Sequence, residues 1–511
     1  MNNRVRILST SDLHGCIYPY SYADGSIKNH GLARIKTLID SLRDENTILI
    51  DNGDTIEGSP FTFYHYLKHQ DKICPISLAM KELYYDYVNA GNHDFNYGQK
   101  ELLKHLQTVN ATCITNNVYI QDEEGKKKCL GVPYAIREIL GKKIALFGVT
   151  THFVPQWEKP ENIEGMEFVE AFEATKRTLE LLKAKEQPDY IICVYHGGFE
   201  RHPETGEPTE LLTGENQAYQ MLEELEGIDV LIAGHQHRTY CGILHKTAYT
   251  ESAFSGLYLS CVDIDIDTHT ITPQLIEATV EPDSSILQLT QEEENECQNW
   301  LDQTLGTTDI DLKIIDEGDA RLHKSQLLTF LNLVQMEVTG ADISAAALFL
   351  RATGFDHNIT MRNLVSTYQF PNTLVVKKIT GKILREYLEK DMEFWVVKDN
   401  KVIINPLFDF PNVQYHNYDM LDGIEYEAKI SNPLGQRIIS LTRNGKEIKD
   451  TDEFTLVVNN YRASGGGNYH MIENAPTIKE YQTTMVDVLA NYIMNHKKIS
   501  FKVQNNIKIG I

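Results

Sequence analysis

Five short apolar runs in the first half of the chain each end in residues able to ligate a metal, and this recurrence restricts the fold more than any other feature. Val5-Arg6-Ile7-Leu8 runs into Ser9-Thr10-Ser11-Asp12-Leu13-His14-Gly15, and Thr47-Ile48-Leu49-Ile50 into Asp51-Asn52-Gly53-Asp54. A β-type run, residues 86–90, gives way to Gly91-Asn92-His93-Asp94-Phe95-Asn96-Tyr97-Gly98. Residues 190–194 lead to Tyr195-His196-Gly197-Gly198, and 230–233 to Gly234-His235-Gln236-His237. Each block by itself reads equally well as an Asx turn with a surface histidine. In an open α/β sheet, however, ligands bind outside the carboxyl ends of the strands, so loops far apart in sequence can meet there. The recurrence predicts an α/β fold whose strand ends gather around one site.

Asp12, His14, Asp54, Asn92, His196, His235 and His237 form a mixed oxygen and nitrogen set. Such a set suits Mn²⁺, Zn²⁺ or Fe rather than calcium or a thiolate zinc site. Seven ligands exceed what one ion takes while leaving a position open for substrate. Two ions about 3.5 to 4 Å apart, sharing one carboxylate, use them all. Cys16 and Cys193 lie beside these residues, but the set is complete without a thiolate. His93 adjoins Asn92 without being needed as a ligand, which makes it the candidate catalytic residue, stabilising developing charge or protonating a leaving oxygen. His30, His65, His69, His105, His202 and His245 fall outside the blocks and are expected as surface or satisfied core histidines.

At 511 residues the chain exceeds a single compact core, so two domains are expected. The divisions read as 1–280, a helical linker 281–312 and 313–511, with the acidic run Gln291 to Glu296 expected on an exposed helix face. Amphipathic spacing predicts helices over 32–43 and 170–184, and another over 323–338. Residues 367–376 are strand-like but interrupted by Pro371, which suits a turn or bulge. Leu456-Val457-Val458 runs into a loop ending in Gly465, Gly466 and Gly467, which either serves as a turn or lets backbone pass close to a ligand.

The net charge of −24 disfavours a nucleic-acid polymer as partner, because such binding draws on lysine and arginine at phosphates. It would also repel small anions except where metal charge overrides it at short range. No apolar stretch reaches the roughly 18 residues of a spanning helix, so no membrane association is expected. The N-terminus lacks an apolar leader, and the eight cysteines are dispersed without a Cys-x-x-Cys pair. Reduced thiols in the cytoplasm are the expectation.

Asp-x-His, Gly-Asp, Gly-Asn-His-Asp, a lone His and Gly-His-x-His, standing in that order, resemble the calcineurin-like dinuclear metallophosphatases. The resemblance implies that Asp12, His14, Asp54 and His237 hold one ion, that Asp54, Asn92, His196 and His235 hold the other, and that Asp54 bridges them. In the second half, Tyr-x-Phe-Pro-Asn-Thr-Leu (368–374), the stretch 417–426 and Asn-Asn-Tyr-Arg-Ala-x-Gly-Gly (459–466) resemble the bacterial 2′,3′-cyclic-nucleotide 2′-phosphodiesterase/3′-nucleotidase family, close relatives of the 5′-nucleotidases. This implies a base sandwiched by Phe370 and Tyr461 and hydrogen-bonded by Asn372, with Gly465 and Gly466 beside the substrate and Asn92 and His93 at its phosphate.

The implied fold is an N-terminal α/β/β/α metallophosphatase sandwich with a C-terminal α+β nucleotidase substrate-binding domain, the active site lying in the cleft between them. The implied activity is hydrolysis of nucleotide or cyclic-nucleotide phosphate esters with two divalent ions. The 2′,3′-cyclic phosphodiesterase/3′-nucleotidase is preferred, and a 5′-nucleotidase or UDP-sugar hydrolase-like enzyme is the alternative. A metallo-nuclease is disfavoured by charge, and a non-catalytic nucleotide sensor by the full ligand set. The chain departs from relatives at three places. His237 stands where many 5′-nucleotidases have Gln, Asn96 where some relatives have an Asp to orient the histidine, and Asn468 where 5′-nucleotidases have Asp in Gly-Gly-Asp.

Overall fold

The computed structural model describes residues 3–121, 125–209, 212–368, 370, 372–409, 412–481 and 483–511, apart from the side chain of Trp157. The chain divides into two compact units, Met1–Cys297 and Gln298–Ile511.

The first unit contains two six-stranded sheets. One runs in the order Ile271–Glu277, Tyr258–Asp265, Arg4–Thr10, Thr47–Asp51, Tyr87–Val88, Thr112–Cys113. The other runs Thr239–Leu244, Thr247–Ser252, Val230–Ala233, Tyr190–His196, Lys142–Thr150, Ala135–Ile139. Arg4–Thr10, Thr47–Asp51 and Tyr87–Val88 are parallel neighbours, as are Lys142–Thr150, Tyr190–His196 and Val230–Ala233. Strands of this kind are covered on both faces, which is why they read as nearly continuous apolar runs.

Side-chain alternation assigns the two faces. Ile144, Leu146, Ile192 and Val194 of one sheet pack in a single core with Val5, Ile7, Ile48 and Ile50 of the other. Their alternates Ala145, Phe147, Ile191 and Cys193 turn outward onto Leu179 and Leu182 of helix Ala171–Lys185 and Met221 of helix Ala218–Glu224. Helix Leu32–Leu42 packs on strand Tyr258–Asp265 of the first sheet. The result is an α/β/β/α sandwich, with the predicted helices over 32–43 and 170–184 found within one residue of their expected ends.

The acidic run corrects the sequence reading. It lies in helix Ser284–Leu301, where Ile286, Thr290, Glu294 and Cys297 form a buried stripe at helical spacing. Glu292 is exposed as expected, but Glu294 is 1% exposed and accepts hydrogen bonds from the hydroxyls of Tyr20 and Tyr22. Glu293 meets His65 at 2.6 Å and Glu296 meets His69 at 2.9 Å. A run of like charges cannot be a single solvated face when it extends right round the helix.

The second unit is α+β. Its five-stranded sheet runs Met420–Asp422, Ile343–Ala346, Glu453–Asn459, Leu374–Thr380, Thr477–Glu480. A four-stranded sheet includes Glu425–Lys429 and Ile438–Arg443. The helix expected from 323 begins instead at Gln326 and ends at Thr339. Lys324 takes φ 54° and Ser325 caps the new start by accepting from the Leu328 amide, which separates it from the short helix Asp319–Leu322. The strand-like run 367–376 resolves into the end of helix Met361–Thr367 and strand Leu374–Thr380, and the expected break at Pro371 lies outside the described residues.

Removing the acceptor shared by two tyrosine hydroxyls should be costly because their polar atoms sit in a buried setting. Glu294→Ala is expected to lose about 2 to 4 kcal/mol of stability. Glu292→Ala, on the exposed side of the same helix, should stay within about 0.5 kcal/mol. Thermal melts of the two variants would separate these outcomes, and equal shifts would show that Glu294 has no such role.

Candidate metal centre

Parallel register brings the first two metal loops together. Thr10 pairs with Asp51 at the strand ends, and beyond them the Asp12, His14 and Gly15 amides donate to the carbonyls of Gly53, Asp54 and Thr55 at 2.7 to 2.9 Å. The second sheet joins the same place. His196 is the last residue of its strand, its Nδ1 lies 2.7 Å from the Asn52 carbonyl, and the Asn52 amide donates to the Tyr195 carbonyl at 3.1 Å. Strand Val230–Ala233 feeds Gly234–His237 into the remaining side, where the His235 amide donates to both Asp12 carboxylate oxygens at 3.0 and 3.2 Å.

The expected ligands gather in two groups, Asp12 with His14 and His237, and Asp54 with His196 and His235. Within each group the ligand atoms lie within 4.8 Å of one another. Asp54 Oδ2 lies between the groups, 3.2 Å from His196 Nε2 and 3.9 Å from His14 Nε2. Asn92 Oδ1 lies 2.7 Å from His235 Nδ1 and 3.1 Å from His196 Nε2. His14 Nε2 and His237 Nε2 face each other at 2.9 Å, with Asp12 Oδ1 at 3.5 Å from the latter. Among the described residues, neither group contains a thiol. Cys193 packs in the outer apolar core, and Cys16 turns its Sγ toward the Tyr18 carbonyl.

Three observations fit this cluster to cations. Asp54 is 1% exposed, yet its Oδ2 has no hydrogen-bond partner. A buried carboxylate oxygen that accepts no hydrogen bond is strongly unfavourable unless positive charge lies close to it. Five of the seven residues also adopt left-handed backbone: Asp12 (φ 54°), His14 (49°), Asp54 (55°), His235 (72°) and His237 (59°). That costs about 1 kcal/mol each for a residue with a Cβ, and such strain persists where surroundings enforce a functional geometry. Finally, loop approach is closed to side chains, since a Cβ at Gly91 would lie 2.2 Å from Asp54 Oδ1 and 2.7 Å from His196 Cε1.

Electrostatics follow from the same packing. Burial, reinforced by His14, holds the His237 imidazole well below its ordinary range, so its lone pair is available to a metal. Burial opposes charge on His196 and His93 as well. There the Asp54 carboxylate outweighs it, lifting His196 to about 10 and, with Glu57 adding to the effect, His93 to about 9.

Several supporting contacts were not legible in advance, although Asn96 stood out in the sequence as a departure beside His93. Asp94, 2% exposed, accepts from the backbone amides of Asp54, Thr55, Ile56 and Gly91 at 2.8 to 3.1 Å, so it holds the Asp54 loop in place. His235 Nε2 lies 2.9 Å from Glu215 Oε1, leaving Nδ1 toward Asn92. His93 Nδ1 lies 2.7 Å from Asn96 Oδ1 and 3.2 Å from Glu57 Oε2. Glu57 sits only three residues after Asp54, and that proximity was the one available signal.

In the second unit, Leu374 pairs with Asn459, so the loop carrying Phe370 and Asn372 and the helix Asn460–Ala463 carrying Tyr461 lie at one end of the same strand pair. Thr373 and Asn460 tie them together, Thr373 N donating to Asn460 Oδ1 and Asn460 N to the Thr373 carbonyl, both at 2.9 Å. Phe370 packs edge-on to Phe349 at 5.0 Å. A Cβ at Gly466 would lie 2.6 Å from the Tyr461 ring, so a glycine is required for that ring to lie against the loop. Beneath it, buried Arg462 donates to Asp419 at 2.6 Å and stacks on Tyr469.

Because Asp54 Oδ2 belongs to one group and lies 3.9 Å from His14 Nε2 of the other, Asp54→Asn is expected to bind about one ion or fewer where the parent chain is expected to bind two. Metal analysis after loading with Mn²⁺ and desalting checks this, and two retained ions would remove Asp54 from the bridging position.

Residues 5–239 match the family model for calcineurin-like phosphoesterases, and residues 304–474 match the 5′-nucleotidase C-terminal domain. The chain is 31% identical to a Staphylococcus aureus protein provisionally described as a 5′-nucleotidase and crystallised with α-ketoglutarate. The match covers 99% of this chain and 100% of that one, at TM-score 0.92. It is 25% identical to the 2′,3′-cyclic-nucleotide 2′-phosphodiesterase/3′-nucleotidase of Salmonella typhimurium, over 90% of this chain and 81% of the relative. It is 24% identical to the trifunctional nucleotide phosphoesterase protein YfkN of Bacillus subtilis, over 99% of this chain and only 39% of that longer protein. On these matches the chain belongs to the calcineurin-like phosphoesterases that carry a 5′-nucleotidase C-terminal domain.

Proposed function

We propose that this protein is a dinuclear metallophosphoesterase that hydrolyses nucleotide phosphate esters, with 2′,3′-cyclic nucleotides and 3′-nucleotides as preferred substrates. The observation that carries the reading is a pair of candidate ligand groups side by side, with the buried Asp54 Oδ2 of one lying 3.9 Å from His14 Nε2 of the other. Members of the family use divalent metals. The oxygen and imidazole donors here suit Mn²⁺, Zn²⁺ or Fe. When bound, such ions supply Lewis acidity toward the phosphoryl oxygens and make water a stronger nucleophile at neutral pH.

The chain's own residues do the rest. Asp12, His14 and His237 would hold one ion and Asn92, His196 and His235 the other, with Asp54 shared. As a water oxygen bonds to phosphorus and the ester P–O bond breaks, the leaving oxygen keeps the bonding electron pair and needs a proton, while the water gives one up. His93 is assigned to protonate that oxygen through Nε2, since its Nδ1 faces Asn96 and Glu57. In the second unit, Phe370 and Tyr461 would stack on the base and Asn372 would hydrogen-bond it, with Gly465 and Gly466 letting backbone approach the substrate. Stacking tolerates base identity, so loose base selectivity is expected.

His237, in place of the Gln of many 5′-nucleotidases, and the relative in Salmonella typhimurium favour the cyclic phosphodiesterase/3′-nucleotidase reading. The 31% identical Staphylococcus aureus structure favours a 5′-nucleotidase as the second reading. A charge of −24 argues against a polynucleotide substrate. A reducing cytoplasm suits eight cysteines dispersed without a Cys-x-x-Cys pair, and among the described residues no helix is long and apolar enough to cross a membrane.

Phosphate release from a panel of 5′-, 3′- and 2′,3′-cyclic nucleotides, with and without chelator, tests the proposal. Metal-dependent turnover is expected to be greatest on the cyclic and 3′ compounds. Turnover confined to 5′-nucleotides would establish the second reading, and undiminished turnover in chelator would remove both.

Base recognition has its own test. Phe370→Ala or Tyr461→Ala should lower kcat/KM for a nucleotide roughly 5- to 150-fold, the equivalent of about 1 to 3 kcal/mol of stacking. Hydrolysis of 4-nitrophenyl phosphate, which has no base, should change little. Equal losses on both substrates would show that the two rings do not bind the base.

A further inference from the structure

The surroundings of His93 contain a carboxylate that the ligand set does not use. Glu57 is 3% exposed, and its Oε2, which makes no hydrogen bond within the described structure, lies 3.2 Å from His93 Nδ1. On the same nitrogen, Asn96 Oδ1 lies at 2.7 Å. The orientation of the Asn96 amide is not arbitrary. Its Nδ2 donates to Glu158 Oε2, and a carboxylate can only accept there, so the oxygen of the amide must be the atom facing His93. Asn162 fixes this arrangement from behind, donating at 2.7 Å to the Asn96 carbonyl and at 2.8 Å to Glu158 Oε1. One hydrogen-bond acceptor and one nearby carboxylate oxygen therefore face Nδ1, which must carry a hydrogen, and Nε2 lies on the opposite edge of the ring.

Glu57 also has a rigid seat. Its backbone carbonyl lies 2.9 Å from His14 Nδ1, and Gly58 follows it at φ 125°, where a Cβ would lie 2.8 Å from the His14 ring. The same short segment thus orients one ligand imidazole with its backbone and faces the catalytic imidazole with its side chain. Asn96 offers His93 only a neutral amide oxygen. A charged acceptor makes a hydrogen bond about twice as strong as a neutral one, and a ring displaced by about 1 Å can lose roughly 100-fold in rate.

We propose that Glu57 is a positioning residue for the leaving-group step, holding the Nδ1–H edge of His93 together with Asn96 so that Nε2 stays aimed at the leaving oxygen. This rests on the metallophosphoesterase reading above and adds to it the carboxylate that Asn96 cannot supply. A positioning role should be felt in proportion to how much the leaving oxygen needs a proton. A nucleoside oxygen is a poor leaving group and needs one, whereas 4-nitrophenolate leaves without help.

The test compares the parent, Glu57→Gln, His93→Ala and the double variant Glu57→Gln/Asn96→Asp, each loaded with Mn²⁺, on a 3′-nucleotide and on 4-nitrophenyl phosphate. Glu57→Gln is expected to lower kcat on the nucleotide about 10- to 100-fold, with KM and bound metal unchanged and with less than about a 3-fold loss on the aryl phosphate. The double variant, which places a carboxylate on the same nitrogen from the other side, should recover most of the loss. Equal losses on the two substrates, loss of metal, or a double variant no better than Glu57→Gln would overturn the proposal. His93→Ala separates this from a failure of the underlying reading. If it shows no leaving-group dependence, the role given to His93 is wrong. If it does show that dependence and Glu57→Gln does not, only the role given to Glu57 is wrong.

Discussion

A carboxylate oxygen buried without a hydrogen-bond partner sets the terms for the whole first unit. Asp54 sits just past the ends of the parallel strands of a mixed sheet, with Asp12 also wholly buried beside it. Two such groups cannot remain in an apolar setting unless positive charge is brought to them. The imidazoles of His14, His196, His235 and His237 and the amide oxygen of Asn92 are the groups the fold brings near them. Together with Asp12 they come from four segments besides that of Asp54, so the site can form only if both sheets form and their strand ends coincide. The apolar core shared by the two sheets is what enforces that coincidence.

The loops pay for their precision in backbone strain, and the glycines and the acidic residues around them show how it is contained. Left-handed conformations at Asp12, His14, Asp54, His235 and His237 persist where many of the surrounding amides are tied down. Asp94 alone receives four of these amides. Glu215 and the Asn52 carbonyl each take one edge of a ligand imidazole and turn the other edge toward the centre. Arrangements of this type raise ligand basicity and fix ring orientation, so they matter to metal affinity nearly as much as the ligands themselves.

The five strand-end blocks were legible because a short apolar run and an abrupt change to ligand residue types are both local properties of sequence. The helices over 32–43 and 170–184 were legible for the same reason, through their apolar spacing. The acidic helix was misread at Glu294, since charge in a sequence does not reveal the tyrosine hydroxyls that make burial of a carboxylate tolerable. The start of the helix at Gln326 was missed because a left-handed residue at Lys324 and a cap at Ser325 leave no trace in apolar spacing. In the second unit, the chain by itself could mark Phe370, Asn372 and Tyr461 only by resemblance. Their common position at one end of a strand pair came from the register of Leu374 with Asn459.

What the sequence by itself determined is the chemistry on offer: which residues can ligate, that they follow strands, and that their donor set suits a pair of divalent ions. Those properties depend on residue type and near-neighbour spacing. Only the tertiary structure decided which buried carboxylate oxygen lies near histidines of both groups, which nitrogen of each imidazole faces the centre, and which acidic residues stand beside His93 and His235. Such choices rest on distances of about 3 Å between atoms of segments tens to hundreds of residues apart, as between Asp54 and His196 or His235 and Asp12. Packing of two sheets fixes those distances, and no local pattern in the chain encodes them.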